Sequence, residues 1–410
     1  MKLWPGQLKV LAYRPVRVLW GGLLLSAIGD EFYRIAIVWL GTSLIGTDAG
    51  YLSAIQAAAT LIFSLTAGIW ADAWEYRRTM IGADCLRGLL VLFPVLWVQT
   101  QPLSIWMLVP VAILVPSLSA FFDPALQSSI PVLVRDRDLL GATNGLFEAT
   151  RRMARLIGAS SIGLLSSIVP ILHFFTIDAV TFFLSAAAVS SLRRDLPPTS
   201  AERAHPAARS LRASVAGGFV ALRPHALLKY ALLTSGVVNG AWQVGFVLGV
   251  ALELQHQRPG NIGAFGLMIA AYGAGSVLSN MLVGSFRSYR PALPMFAGRI
   301  VGGISFVALA FAPNLAVALG LAAMMGVGAP MSNIPLLNLL QTTFPETRIG
   351  QVYRIKMVSE WGCILVALLI SPFLFRHLSI ERVIALCGMV VLSVGVTGLL
   401  KFVRLKRWLV

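Results

Sequence analysis

Charged residues are scarce in this sequence. Only 12% of its 410 residues are charged and 57% are hydrophobic, whereas a soluble globular protein has about 25% charged and about 45–50% apolar residues. The mean hydropathy of +0.79 describes the whole chain, which has no long polar block. These values exclude an ordinary soluble enzyme and a soluble domain on a single anchor, and they predict a protein embedded in a membrane.

Cysteines are few, and motifs for metal or nucleotide chemistry are missing. The patterns CxxC, HExxH, GxxxxGKS/T and GxGxxG after a strand do not occur, so we expect no metal site and no cofactor. The three cysteines, Cys85, Cys363 and Cys387, lie in apolar runs and are odd in number. This arrangement favours reduced helix residues over a disulfide framework.

Long apolar runs, in contrast, fill most of the chain. A spanning helix needs about 20 mostly apolar residues, and twelve runs meet this requirement. We therefore predict an all-α membrane protein with twelve transmembrane helices in two six-helix bundles. The predicted spans are residues 17–43, 50–71, 78–98, 103–124, 142–168, 173–192, 228–253, 262–286, 292–312, 315–343, 353–373 and 381–400.

One polar stretch divides these spans into two sets of six. Residues 1–192 are predicted to form the N-terminal bundle and residues 228–410 the C-terminal bundle. The cytoplasmic linker at 193–227 is rich in Pro, Ala and Arg. Its second part fits either an amphipathic helix on the inner membrane surface or a solvated tether.

The net charge of +16 would in a soluble protein suggest a nucleic-acid partner. On the predicted topology, however, 24 of the 33 Lys and Arg residues fall on the side of the termini, and only Arg258, Arg376 and Arg382 fall on the other. Cytoplasmic loops carry such an excess of basic residues. We therefore expect both termini in the cytoplasm and no nucleic-acid partner.

The two halves show a weak internal repeat. Gln127 and Pro131, after the fourth span, match Gln341 and Pro345, after the tenth, at an offset of 214 residues. Parallel repeats of this kind are typical of transporters built from two similar bundles.

The segment after the second span carries the most specific motif. It contains Gly68, Asp72, Arg77 and Arg78 and resembles the loop motif G-x-x-x-D-R-x-x-R-R of the major facilitator superfamily, from which it departs at Ala73. Together with the segments 121–125, 131–144, 174–185 and 341–352, the chain resembles the bacterial drug and siderophore efflux branch of that superfamily, which includes macrolide efflux proteins and the enterobactin exporter. The resemblance implies a secondary transporter that works by alternating access.

The loop motif has a physical interpretation. Asp72 can face the positive N-terminus of a helix in the other half, and Arg77 or Arg78 can pair with Asp123 at the cytoplasmic end of the fourth span. Such contacts would hold the cytoplasmic gate closed. The alternative is that these basic residues are only topology signals and Asp72 is solvated.

Charged residues inside spans are usually paired or functional. Asp30 and Arg34 are four residues apart and can neutralise each other, whereas Glu31 lies about 100° round the helix and is free to line a cavity. Unpaired acids are candidates for proton coupling, because burial disfavours their charged form. The candidates are Asp30, Glu31, Glu148 and, near Lys356, Glu360; the alternative for each is an ion pair that fixes helix packing.

The fifth span adds further charges. Glu148 can pair with Arg151 or Arg152, and Arg155 and Asp178 are predicted to form a structural pair. Arg151 and Arg152 could instead bind an anionic substrate group such as that of a siderophore. The same span keeps small residues in the spacing of a family antiporter motif, which favours export over import.

The helices that line the cavity in this superfamily offer mostly apolar side chains here. The candidate cavity residues are Phe32, Phe121, Asn239, Trp242, Gln243 and Phe246. Such a pocket suits amphiphilic or aromatic molecules. We therefore expect a monomeric, proton-coupled exporter of amphiphilic drugs or siderophore-like metabolites in the bacterial inner membrane, with protons and membrane lipids as its other partners. The alternatives are a lysophospholipid flippase and, from another class, a transport-inactive sensor or a membrane-embedded enzyme.

Overall fold

Helices make up nearly all of the described chain. The computed structural model describes residues 10–71, 75–134, 137–196, 211–257, 260–283 and 291–402. The helices are α1 (Arg14–Ile45), α2 (Ala49–Ala71), α3 (Tyr76–Trp97), α4 (Val109–Leu133), α5 (Arg137–Leu165), α6 (Leu172–Ser191), α7 (Leu211–Leu222), α8 (Ala226–Ala241, continued by a π-helical turn at Trp242–Gly249 and by Val250–Gln257), α9 (Ile262–Val283), α10 (Ala292–Leu309), α11 (Leu315–Thr343), α12 (Glu346–His377) and α13 (Ile380–Phe402). Thus α1–α6 and α8–α13 correspond to the predicted spans, and α7 lies in the predicted linker.

Nine helices in the described part of the chain are long and apolar enough to cross a membrane. They are α3, α4, α6 and α8–α13. The charge-rich helix α5 does not meet the criterion, since it carries an acidic and several basic residues between Glu148 and Arg155. The chain is therefore a multi-pass membrane protein.

The chain divides into two units. The first contains Met1–Leu40 and Ile62–Ala208, and its helix α3 packs extensively against α4 and α6. A buried apolar cluster in this unit includes Met80, Phe122 and Phe147. These apolar side chains fix the positions of the polar groups that α3 and α6 carry.

The second unit contains Gly41–Leu61 and Arg209–Val410. Within it, α10 packs against α11 and α13, and α9 packs against α11. A Cβ at Gly298 would lie 2.6 Å from the carbonyl oxygen of Gly328, so α10 and α11 can approach this closely only because small residues meet at their crossing. In the same unit, Arg376 on α12 pairs with Asp48 at 2.5 Å.

The linker prediction included an amphipathic helix, and α7 occupies that position. A Cβ at Gly218 would lie 2.6 Å from the carbonyl oxygen of Gln351 and 2.8 Å from Ile355. Leu222 is buried in the cluster around Phe296 and Leu336. Helix α7 therefore packs on α12 and contributes to the core of the second unit.

Candidate functional site

The first unit contains a buried ion pair on α3. Asp84 and Arg87, one helical turn apart, pair through Oδ1 and an Nη atom, and their side chains are 0% and 3% exposed. The Arg87 guanidinium lies 4.5 Å from the ring centre of Phe122 and 4.3 Å from that of Phe182. Aromatic faces on two neighbouring helices thus hold a cation in a buried site.

Two more carboxylates lie next to this pair. Asp178 on α6 is fully buried, and a Cβ at Gly29 on α1 would lie 2.6 Å from its Oδ1 atom. Asp30, the next residue along α1, has Arg87, Asp84 and Asp123 among its charged neighbours. Asp30 is only partly buried, whereas Asp84 and Asp178 have no exposed surface.

Asp30, Asp84 and Asp178 all interact electrostatically with the guanidinium of Arg87, and Asp84 pairs with it directly. We call these four residues the acidic cluster. Charges in a low-dielectric interior are stable only when they are compensated, and one cation cannot balance three carboxylates. Asp30 is the member of the cluster that keeps exposed surface.

The expected Asp30–Arg34 pair is wrong. Arg34 pairs with Glu31, three residues before it, and the Arg34 side chain is 50% exposed. Glu31 is 4% exposed, so it is a buried partner of Arg34 and does not line a cavity freely. Spacings of three and four residues both bring side chains together on a helix, and here the spacing of three forms the pair.

The expected pairing of the loop arginines with Asp123 is also wrong. Arg78 pairs with Glu75 at 2.8 Å, and Arg77 lies 3.7 Å from the same carboxylate. Asp123 instead pairs with Arg151 on α5 at 2.6 Å. Arg151 is therefore engaged with a carboxylate of its own unit.

Several predicted residues lie outside the description. Asp72 and the side chains of Glu148 and Arg152 are among them, so their contacts are not described. Gly68 lies near the end of α2. Arg155 is exposed. Its predicted partner, Asp178, is buried, accepts a hydrogen bond from Thr181 and interacts electrostatically with Asp30 and Arg87. The Arg155–Asp178 pair remains a prediction.

The small residues of the fifth span do allow close helix approach. A Cβ at Gly158 on α5 would lie 2.6 Å from the Cβ of Glu31 and 3.0 Å from the carbonyl oxygen of Ile28. Ala154, Ala159 and Ile162 are fully buried. The contact between α1 and α5 therefore depends on a residue without a side chain.

In the second unit, Glu360 is neutralised locally. Both of its oxygens lie 2.6 Å from the Lys356 ammonium, and one accepts a hydrogen bond from Ser235 at 3.0 Å. Lys356 is the neighbour of Glu360 that the sequence suggested. Glu360 therefore has a cation of its own, unlike Asp30.

A cavity of about 90 Å³ opens inside the second unit. Its polar lining includes Asn239, Asn333 and Arg299, and its aromatic lining includes Trp242 and Tyr272. Two predicted cavity residues, Asn239 and Trp242, thus line it. Among the described side chains, no cluster of His, Cys, Asp and Glu could hold a metal ion.

The other predicted cavity residues have different surroundings. Phe246 is fully buried and its ring centre lies 5.3 Å from that of Tyr272. Phe32 is buried against Phe174 in the first unit. Phe121 packs against Phe63, and Gln243 is partly buried in the π-helical turn of α8.

Sequence reasoning assigned no role to Arg299. It lies in the predicted span 292–312, and it has no acidic residue at helical spacing that would draw attention to it. Its position in an apolar run was the only available signal, since cations in such runs are rare and usually functional.

Comparison with known proteins places the chain among transporters. The profile of the Major Facilitator Superfamily matches residues 19–359. The chain is 23% identical over 397 residues to the uncharacterized MFS-type transporter YfiS of Bacillus subtilis (strain 168), covering 94% of this chain and 93% of that protein. It is 19% identical over 399 residues to macrolide efflux protein A of Streptococcus pyogenes (92% and 93% covered). Multidrug efflux pump Tap of Mycobacterium tuberculosis (strain ATCC 25618 / H37Rv) is 26% identical over 321 residues (74% and 73% covered).

Solved structures give the same fold. A POT family transporter in complex with a thioalcohol conjugated peptide superposes with a TM-score of 0.71 at 12% identity, covering 96% of this chain and 97% of that one. At this identity the likeness concerns the fold alone. The family and the relatives are transporters and not enzymes. The chain is a membrane transporter that belongs to the Major Facilitator Superfamily.

Proposed function

We propose that this protein is a proton-driven exporter of amphiphilic compounds in the bacterial inner membrane. In this proposal twelve helices, α1–α6 and α8–α13, span the membrane in two six-helix bundles with both termini in the cytoplasm. The skewed distribution of Lys and Arg supports the orientation. The compound leaves the cell by alternating access while protons enter.

The acidic cluster carries the proposal of proton coupling. Three carboxylates share one guanidinium in a site that is closed at Asp84 and Asp178 and partly open at Asp30. When all three are ionised, the buried charge is not balanced, so a proton at the cluster relieves the excess. Asp30 is the member with exposed surface, and we assign to it the uptake and release of the transported proton.

The chemical character of the substrate is inferred from relatives and from the cavity. Two relatives are described as a macrolide efflux protein and a multidrug efflux pump. The cavity in the second unit combines aromatic rings with a few amides, which suits molecules with apolar and polar parts. A hydrophobic drug or a siderophore-like metabolite fits this description.

Transport by the purified protein tests the proposal. Proteoliposomes that hold the full chain would be given a labelled macrolide and an imposed pH gradient. We expect accumulation against the macrolide gradient that collapses when a protonophore is added. Movement of a labelled lysophospholipid in place of the drug would favour the flippase, and movement of neither under any gradient would contradict the proposal of an exporter.

A further inference from the structure

The second unit holds a buried cation whose counter-charge is missing from the described chain. We propose that Arg299 and the cavity beside it form a binding site for a carboxylate group on the transported molecule. This inference rests on the proposed function in that it specifies the chemistry of the substrate. It assigns to the second unit the recognition of an anionic group, which the sequence had suggested for Arg151 and Arg152.

Arg299 lies on α10 and is 4% exposed. One Nη atom donates to Thr234 Oγ1 at 2.6 Å and the other donates to the carbonyl oxygen of Ala231 at 3.1 Å. A guanidinium has five N–H groups, so these bonds leave several donors available. Neither partner carries a charge.

No described ion pair includes Arg299. The carboxylate that approaches this cavity is Glu360, through Ser235, and both of its oxygens are bound to Lys356. The ring of Phe296, with its centre 5.7 Å from the guanidinium carbon, offers a weaker interaction than an anion would. A buried cation of this kind is costly unless an anion accompanies it.

In the first unit, a buried arginine has a carboxylate from the chain itself as its counter-charge. Arg87 on α3 lies between aromatic rings and has a carboxylate, Asp84, three residues before it. Arg299 also lies near an aromatic ring, but the residue three positions before it is Phe296. The second unit thus has the cation and the aromatic contact without the carboxylate. A carboxylate on a bound molecule would supply the missing counter-charge of Arg299.

The cavity offers this group a place. Arg299, Asn239, Asn333 and Trp242 all line it. The indole Nε1 of Trp242 is buried and has no hydrogen-bond partner among the described residues. Because an indole N–H can only donate, it requires an acceptor, and a carboxylate presents acceptors to both Trp242 and Arg299.

The size of the cavity limits what it can hold. Sites for whole drug-sized ligands measure about 300–1,000 Å³, and this cavity measures about 90 Å³. It therefore fits a carboxylate with a small apolar neighbour and not a complete drug. The aromatic wall of Trp242, Tyr272 and Phe306 suits a ring or a short alkyl group next to the carboxylate.

The alternative is that Arg299 only ties α10 to α8 through Thr234 and Ala231. A structural arginine would not distinguish a carboxylate from its uncharged amide. Titration of the purified full-length protein in detergent with benzoate and with benzamide separates the two roles. We expect benzoate to bind about tenfold more tightly than benzamide, a difference of about 1.4 kcal/mol, because hydrogen bonds between two charged groups are stronger than those to a neutral amide.

Variants locate the site. Arg299→Gln should abolish the preference for benzoate, and Arg299→Lys should keep part of it because the charge remains. Trp242→Phe removes one donor and keeps the aromatic shape, so the benzoate affinity should fall by about threefold. The matched control is Ser279→Ala, which removes a 2.7 Å bond to the carbonyl oxygen of Val327 in the same unit and should leave the preference unchanged.

Equal affinity of the wild type for benzoate and benzamide would overturn the proposal, as would a preference that survives Arg299→Gln. If Arg299→Gln does not fold, Trp242→Phe and Arg299→Lys still decide the outcome, since each must weaken benzoate binding selectively. The measurement needs no membrane or gradient. If the protein binds benzoate selectively but moves no drug, only the proposed function is contradicted. If it exports an uncharged drug and shows no preference for benzoate, only this inference is contradicted.

Discussion

Arg87 and Asp84 form a completely buried ion pair on α3, with the guanidinium between the rings of Phe122 and Phe182. The same guanidinium also interacts electrostatically with Asp30 and Asp178. Three carboxylates on three helices thus share one arginine. Of the four residues, Arg87 should therefore contribute most to the stability of the folded protein.

Replacement of Arg87 should therefore be much more harmful than replacement of Asp84. Arg87→Gln leaves three carboxylates without a cation, and loss of one partner of a buried pair costs about 3–5 kcal/mol. Asp84→Asn leaves Arg87 with two other carboxylates, so we expect a distinctly smaller loss. Thermal unfolding of both variants in detergent, monitored by loss of the monodisperse elution peak, measures the difference.

The matched control is Arg34→Gln, which removes an arginine whose side chain is half exposed. It should change the unfolding temperature only slightly. If Asp84→Asn destabilises the protein as much as Arg87→Gln does, Arg87 stabilises the charge of Asp84 alone. The proposal that Asp30 and Asp178 share this arginine would then be wrong.

The contact between α1 and α5 gives a second prediction. Gly158→Ala would place a Cβ 2.6 Å from the Glu31 Cβ and 3.0 Å from the Ile28 carbonyl oxygen. Overpacking of this kind costs about 1–3 kcal/mol, and it would displace Glu31 from Arg34. We expect a lower unfolding temperature and slower transport.

Gly82→Ala on α3 is the control for this change. No atom lies within 4 Å of a Cβ built there, so the substitution should be neutral or slightly stabilising, because alanine favours helix over glycine. Equal behaviour of the two variants would mean that α1 and α5 do not need the close contact.

The second unit provides a third prediction. Glu360 is held by Lys356 and Ser235, so it has no need of an added proton. Glu360→Gln should keep most of the proton-driven transport and lose little stability, since partly exposed pairs contribute about 0–1 kcal/mol. The rate of proton-driven transport by Glu360→Gln in proteoliposomes is compared with that of the double variant Glu360→Gln/Lys356→Gln. Loss of the response to the pH gradient in Glu360→Gln alone would place coupling in the second unit.

Much of the helical structure could be predicted from the sequence, because apolar runs and turn residues act locally. The tenth predicted span, residues 315–343, coincides with α11 (Leu315–Thr343), and the sixth, residues 173–192, lies one residue from α6 (Leu172–Ser191). The π-helical turn at Trp242–Gly249 has no comparable local signal. Within this turn, a Cβ at Gly245 would lie 2.7 Å from Phe306 and from Cys387, which are distant in sequence.

The partners of the charged side chains could not be predicted in the same way. Arg34 had two acids within one turn, Asp30 and Glu31, and helical spacing alone does not choose between them. Asp123 and Arg151 belong to different helices, so only the tertiary packing brings them together. Arg299 has no acid near it in sequence, and only its burial beside a cavity shows that it is unusual.

Proton-driven transport by the Asp30→Asn variant tests the central claim most directly. In proteoliposomes with an imposed pH gradient, the account predicts that this variant loses accumulation of a labelled macrolide yet still exchanges macrolide across the membrane, because asparagine resembles the protonated aspartate. Glu381→Gln, at an exposed acid at the start of α13, should behave like the wild type. Accumulation by Asp30→Asn at the wild-type level would contradict the assignment of the proton to Asp30.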